Sequence, residues 1–512
     1  MRKPACIGLA LALLVFSFVP AAFGQATGSS SPLADAWTNF AKSAVHGAAS
    51  AQPAQPLNAI HWQTPVDLYP EYAGAGPAGA NELLIHYGSP LVTAGNTVIV
   101  PVKTSTSGNF VVDALASSTG SPVWSAASDY ILPPASGWTP VFGPALALTR
   151  VYFPGAGGTI FFRDKPNVAT GTQGRLAFYG IENYHANPTA FNNTVYINTP
   201  LTTDGKGNVY FGFLVTGASP LNGLTSGIAR IGANGQSTWI PVTTAAADAT
   251  MTGVSLNCAP ALSLDGTTLY IAVSNGSAGY LVALNSTTLA PVARVWLTDP
   301  KSGDAAWVSG NSSASPTVGQ DGDVYYGVLE NPYPENNDRG WLLHFNSDLS
   351  QTKTPGAFGW DETASLVPAS IVRSYAGASS YLLMTKYNNY IDIGTGNGEN
   401  RIAIQDPNAT ETDPVTGVTI MKVVLSILGP TPDPDGGVKE WCINSAAVDI
   451  GGKAVMANSE DGKLYRWDLT NNTLSQSVVI TGGIGEAYTP TVIGVDGTVY
   501  AINDAILFAI GN

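Results

Sequence analysis

A unit of roughly fifty residues recurs along most of this 512-residue chain, and that repetition constrains its fold more than any other feature. Each copy opens with a small or polar residue and a proline, runs through a short apolar strand to a tight turn, and returns in a strand rich in Val, Tyr and Phe. The clearest copies are Ser89-Pro90 with its turn at Gly95-Asn96, Thr199-Pro200 with Asp204-Gly205, Ala259-Pro260 with Asp265-Gly266, Ser315-Pro316 with Asp321-Gly322, and Thr489-Pro490 with Asp496-Gly497. Looser copies open at Pro144, Pro368 and Ala446. The anchors at 90, 144, 200, 260, 316, 368, 446 and 490 are 54, 56, 60, 56, 52, 78 and 44 residues apart, which makes eight copies. Length alone suggests about three domains, but one closed repeat array accounts for the chain better.

Asp-Gly and Gly-Asn between alternating apolar runs signal two-residue hairpins, because those residues accept the positive φ that such turns require. A third strand follows in each copy, as in Phe110 to Asp113 and Tyr280 to Leu284. The turn Ser118-Thr119-Gly120 then leads to an outer strand at Trp124. Four antiparallel strands per copy, stacked against neighbouring copies, predict an all-β, eight-bladed β-propeller. The last copy stops at its third strand, Leu507 to Ile510. Ala59 to Gln63 has the look of an outer strand, with Trp62 where Trp124 and Trp239 sit, and is expected to complete the last blade. The propeller domain is therefore 57–512. Residues 25–56 read as a leader outside the core, with a short helix near Asp35 to Ala48.

Only 11% of the residues are charged, and the net charge is −14. Nucleic-acid binding is excluded as a function class, since counterion release needs clustered Lys and Arg. Residues 1–24 read as a cleavable signal peptide: Arg2 and Lys3 precede an apolar run from Ala5 to Val19, and Ala22-Phe23-Gly24 supplies small residues at the cleavage site. The expectation is a secreted or periplasmic protein with no membrane span in the mature chain.

The run Asp113-Ala114-Leu115-Ala116-Ser117-Ser118-Thr119-Gly120-Ser121-Pro122-Val123-Trp124 resembles the repeat of the pyrroloquinoline quinone (PQQ) type propellers, in which an Asp, a Thr-Gly turn and a Trp recur. Ile228 to Trp239 is a second copy, and weaker ones end near Trp296 and run through Leu464 to Asp468. The resemblance to this quinoprotein alcohol dehydrogenase-like family covers most of 57–512. It implies an eight-bladed fold. For the family's enzymes it also implies PQQ and Ca²⁺ on the propeller axis, an Asp base, and Asn and Glu metal ligands. Gly394-Thr395-Gly396-Asn397 looks like the loop that carries the ligating Asn, which makes Asn397 the metal-ligand candidate. Other features of those enzymes are absent: there is no adjacent Cys pair and no Cys-x-x-Cys-His haem site.

In such a blade the loop between strands two and three opens on the same face as the crossing to the next blade. Length is concentrated there: Asp164 to Gly174, Thr216 to Ser226, Asn331 to Arg339 and Gly394 to Asn400 between strands, and Thr298 to Ser313 and Leu428 to Glu440 between blades. Long loops on a rigid scaffold are where sites are built. One insertion, Asp406 to Thr416, falls on the opposite face.

Residues just before each anchor are expected to ring the channel mouth. They are His86, Tyr87, Trp138, Asn198, Asn257, Asn311, Asp361, Glu362, Trp441, Asn444, Glu486 and Tyr488. Asn and Glu would bond a ligand or cation there and aromatic rings would serve as platforms, or the polar groups would simply cap turns in a wet channel. Cys258 and Cys442 fall in the same ring, where they either form a disulfide or stay free. The five histidines lack metal-ligand spacing. The leading functional reading is a monomeric binding or scaffold protein for a protein, glycan or small-molecule ligand on the long-loop face. The alternative is a PQQ- and calcium-dependent dehydrogenase acting on an alcohol or sugar.

Overall fold

The computed structural model describes residues 35–72, 83, 85–106, 108–134, 141–147, 149–308, 313–483 and 485–512. The signal-peptide reading, Trp138 and Asn311 lie outside these residues. The chain folds into eight small antiparallel sheets, the blades of a β-propeller. Blade 1 shows the pattern: Leu91–Val92, Thr97–Ser105, Gly108–Ala116 and Pro122–Ile131 pair in chain order. Its outer strand runs on past Trp124 to Ile131. Both faces of the inner strands are covered by neighbouring blades, and Val324–Val328 and Trp341–Phe345 are buried at every position. Double-sided burial explains the low charge, because strand positions that a one-sided sheet would give to Lys or Glu are apolar here.

In the last sheet, Val492–Ile493, Val499–Asn503 and Ile506–Gly511 are joined by Ala59–Pro65, which pairs antiparallel with Ile506–Gly511. Trp62 on that N-terminal strand lies over Gly120 of blade 1, and a Cβ on Gly120 would stand 2.8 Å from its ring.

The N-terminal segment is not the helix-bearing leader outside the core that its composition suggested. Trp37, Ala41, His46 and Ala48 are fully buried, and the segment threads the inside of the ring as a strap. It meets the blades in chain order. The innermost strands of blades 1 to 7 donate backbone N–H groups to it: Val92 to Trp37 O, Leu146 to Thr38 O, Thr203 to Asn39 Oδ1, Leu262 to Ala44 O, Val318 to Val45 O, Leu366 to Gly47 O and Val448 to Ala48 O, at 2.7–3.0 Å. Gln55 then donates to Gly497 O of blade 8 at 2.8 Å. An innermost strand has no sheet neighbour on its axial side, so its donors need a partner; the strap is that partner. Its curvature is taken up at Ala41, Lys42, His46 and Ala48, all with φ between 45° and 81°, a conformation no helix contains.

Two other expectations are corrected. The innermost strand of blade 6 is Ser365–Pro368, so Pro368 ends that strand and Ala364 is the true anchor. In blade 2 the tight turn at Gly155 to Gly158 separates strands two and three, Arg150–Pro154 and Thr159–Asp164, which puts the Asp164 to Gly174 loop on the opposite face. The Asp406 to Thr416 insertion extends a hairpin of blade 6, Arg401–Thr412 and Thr419–Leu428, which packs against blade 5, where three strands are formed. Met421 N–H donates to Pro355 O at 2.8 Å, and buried Asp413 pairs with buried Arg339 at 2.7 Å.

Candidate functional site

The strap lines an open pocket beside the Asp204-Gly205 and Asp265-Gly266 turns, and the residues that precede the anchors gather on the long-loop side. The channel mouth is organised around His86, Tyr488 and Lys386. The His86 ring stacks on Tyr488 at 3.9 Å with 7° between planes. Its two nitrogens contact Ser313 Oγ at 2.6 Å and Glu486 Oε2 at 3.0 Å. Lys386, on the buried strand Tyr381–Tyr387, donates from Nζ to the Tyr488 hydroxyl at 2.6 Å, and its ammonium lies 4.4 Å from that ring's centroid. Its backbone N–H donates to Glu362 Oε1 at 2.5 Å.

Carboxyl groups crowd around this lysine, and several hold protons more tightly than usual. Asp338 is pushed up to about 7 by burial and by Glu330 and Asp361. Glu440 is pushed up to about 8 by burial and by Glu460, and Glu460 to about 7 chiefly by burial. Burial also raises Glu330 and Asp361, and raises Glu362 well above the carboxylate range. A set of acids so placed, facing few bases, favours a cation.

The ring residues read from the sequence separate into two groups. His86, Tyr87, Asn257, Asn444 and Tyr488 line one axial cavity of about 20 Å³, floored by Phe40 of the strap. That volume suits about one water. Glu486 joins the mouth through His86. Asn444 donates to Ser313 O at 3.0 Å, and its buried Oδ1 has no hydrogen-bond partner among the described residues. The remaining described residues are tied into the scaffold, as Tyr87 and Asn257 of the first group also are. Tyr87 donates to Asp67 Oδ2 at 2.9 Å beside Lys103. Asn198 donates to Val254 O at 3.0 Å and accepts from Asn257 N–H at 2.9 Å, linking blades 3 and 4. Trp441 is fully buried and packs edge-on against Tyr465, so it offers no platform. Cys258 and Cys442 are free, buried thiols and no disulfide joins them. Cys442 instead donates to Glu460 Oε2 at 3.4 Å.

Sequence reasoning missed Lys386, Asp338, Glu330, Glu440 and Glu460. Lys386 had a signal, being the one charge in the apolar run Tyr381 to Tyr387. Glu440 did too, alternating with Cys442 around Trp441.

No protein-family model matches the sequence, and no curated protein matches it. Solved structures do. A europium-containing methanol dehydrogenase is similar at a TM-score of 0.56 and 11% identity over 92% of this chain and 89% of that one. The quinohemoprotein alcohol dehydrogenase of Comamonas testosteroni gives 0.50 and 13% over 93% and 77%. The quinohemoprotein alcohol dehydrogenase ADHIIG of Pseudomonas putida HK5 gives 0.51 and 13% over 94% and 76%. At these identities the shared property is the propeller fold.

The metal-ligand candidate does not fit a quinone and calcium centre here. Asn397 is exposed, and its Oδ1 accepts from Asn389 Nδ2 at 2.8 Å and from Glu399 N–H at 3.0 Å, so it caps its own loop. The axial cavity is far below the several hundred Å³ of an ordinary cofactor pocket.

Proposed function

We propose that this chain is an exported eight-bladed propeller that works as a binding protein, taking a cationic ligand at the channel mouth on its long-loop face. One observation carries this reading: Asp338, Asp361, Glu440, Glu460 and Glu486 converge on a mouth whose buried cation, Lys386, is directed at Tyr488 and forms no ion pair among the described residues. Glu440, Glu460 and Glu486 keep part of their surface open to solvent, so a ligand can reach them. The strap contributes as well, because its Phe40 lines the small cavity shared with His86, Asn444 and Tyr488. Calorimetric titration with Ca²⁺, Mg²⁺, Zn²⁺ and spermidine tests it. Saturable binding of at least one of these cations, weakened at least tenfold in Glu440→Gln/Glu486→Gln, is the expected result. No binding, or unchanged affinity in the double variant, rejects it.

The second reading, a PQQ- and calcium-dependent dehydrogenase, is supported by the shared fold and the acidic mouth, and opposed by the engagement of Asn397 and the small cavity. Dye reduction with PQQ, Ca²⁺ and a panel of alcohols and sugars, if observed, would replace the first reading with this one.

A further inference from the structure

Glu440, Cys442 and Glu460 bring one sulfur and two carboxylate oxygens to a single point, with all the donor atoms within 4.8 Å of one another. Glu440 and Cys442 end the crossing into blade 7. The residue between them is clamped: Trp441 N–H donates to Asn388 Oδ1, and Asn388 Nδ2 donates to Trp441 O, both at 3.3 Å. Glu460 follows the strand Ala454–Asn458 and is drawn in by Glu440 N–H at 3.4 Å. The donors are thus held by two separate backbone segments, each fixed by the blade.

Two further facts favour a cation at this point. The Glu440 carboxyl, half-buried and facing a second carboxyl, has no hydrogen-bond partner among the described residues. Among the described residues Glu460 has only long contacts from within the cluster, 3.4 Å each from Glu440 N–H and Cys442 Sγ, besides Lys439 Nζ at 4.0 Å. A half-buried carboxyl pair with so few donors is costly to ionise unless a cation joins it.

The donor set selects the cation. Hard ions such as Ca²⁺ and Mg²⁺ want six or more oxygens, whereas a thiolate with carboxylates suits a borderline, four-coordinate ion. Around tetrahedral zinc, neighbouring donors lie about 3.4–3.6 Å apart. The Cys442 to Glu460 distance of 3.4 Å already matches, and the rest need to close by about 1.4 Å at most.

We propose that Glu440, Cys442 and Glu460 form a three-ligand site for one zinc-class divalent ion, with the fourth position open to the channel mouth. The inference deepens the cation-binding reading and rests on it. Binding forms one metal–sulfur and two metal–oxygen bonds. The thiol proton and any carboxyl protons leave to solvent, with no change of oxidation state. Lys439 offsets the resulting negative charge.

The test uses the mature protein stripped with a chelator. Competition against a chromophoric chelator should show one equivalent of Zn²⁺. Cobalt should give a thiolate-to-metal charge-transfer band. Cys442→Ser should abolish the band and weaken zinc binding about 100-fold, and Glu440→Gln should weaken it at least about tenfold. Circular dichroism establishes that each variant is folded, and Glu460→Gln stands in if Cys442→Ser is not. Unchanged zinc affinity in folded Cys442→Ser, or bound cobalt without the band, overturns the site. If Ca²⁺ or spermidine still binds in that case, the broader cation reading survives alone. Failure of every cation to bind the wild type overturns both.

Discussion

The indole N–H of Trp62 donates to the carbonyl of Ser117 at 2.6 Å, tying the N-terminal strand of the last blade to the third-strand turn of the first. Trp124 repeats the arrangement one blade on, donating to Pro166 O at 2.7 Å with the Arg163 guanidinium 4.2 Å from its ring. Each indole is thus a bolt between adjacent blades, and the Trp62 bolt joins segments that are far apart in sequence.

Trp62→Phe keeps most of the ring but removes the donor. It is expected to lower unfolding free energy by about 1 kcal/mol, the net worth of one such bond. Trp239, whose indole N–H makes no bond among the described residues, packs edge-on against Phe213, and Trp239→Phe should not incur that loss. Urea midpoints compare the two. Equal midpoints for both variants would show that the indole bond is not what holds the blades.

The strap offers a sharper test because Asn39 does side-chain work there. Its Oδ1 accepts from Thr203 N–H at 2.7 Å and from Thr203 Oγ1 at 3.0 Å, and its Nδ2 donates to Thr203 O at 3.2 Å, all within a buried environment. Asn39→Ala takes these partners from the buried Thr203 N–H and C=O, while the Thr203 hydroxyl keeps Leu146 O, and is expected to cost about 2–4 kcal/mol in urea denaturation. A loss under 0.5 kcal/mol, on the order of a surface substitution, would mean that the strap is dispensable to the ring.

The blades were legible because their signals are local: Asp321-Gly322 before Val324 specifies a hairpin whatever surrounds it. The strap was not, because its partners are backbone groups of seven separate blades. Its Ala-rich stretch reads as helix by propensity, while the ring imposes positive φ at Ala41 and Ala48. Pro368 misled for a related reason. Blade 6 lacks the proline and the two-residue turn of the clearest copies, so the nearest proline took the anchor's place. The mouth was half legible. Residues before each anchor do ring the axis, as His86 and Tyr488 show, but Lys386 and Glu460 come from second strands and their turns, where only the closed ring brings them inward.

His46 makes the strap sensitive to acid. Nδ1–H donates to Pro316 O at 2.7 Å in a fully buried site, and burial lowers the imidazole to about 4. The unfolded chain takes up this proton near pH 6.5 and the folded chain only near 4. The stability is therefore complete above about pH 6.5 and lost progressively as pH falls toward 4, by about 3 kcal/mol. His46→Asn places a donor where Nδ1 stood and tolerates the local φ of 59°, but it does not titrate. Unfolding free energy measured from pH 7 to 4 should fall more steeply in the wild type than in this variant. Parallel curves would remove His46 as the cause.

Asp338 acts with the opposite sign. Burial, then Glu330 and Asp361, raise its carboxyl to about 7, while Lys386 pulls the other way. The folded state holds this proton between the unfolded value near 3.8 and about 7. Its contribution is therefore fully present below pH 3.8 and is lost as pH rises through 7. The residue keeps part of its surface open, so the penalty at pH 8 is on the order of 2 kcal/mol rather than the full shift. Asp338→Asn removes the charge and suits the left-handed backbone at φ 61°. In chelator-containing buffer it should match the wild type near pH 4 and exceed it in unfolding free energy from pH 7 upward. A variant less stable than wild type at pH 8 would show that the ionised carboxylate is wanted at that position even without a bound cation.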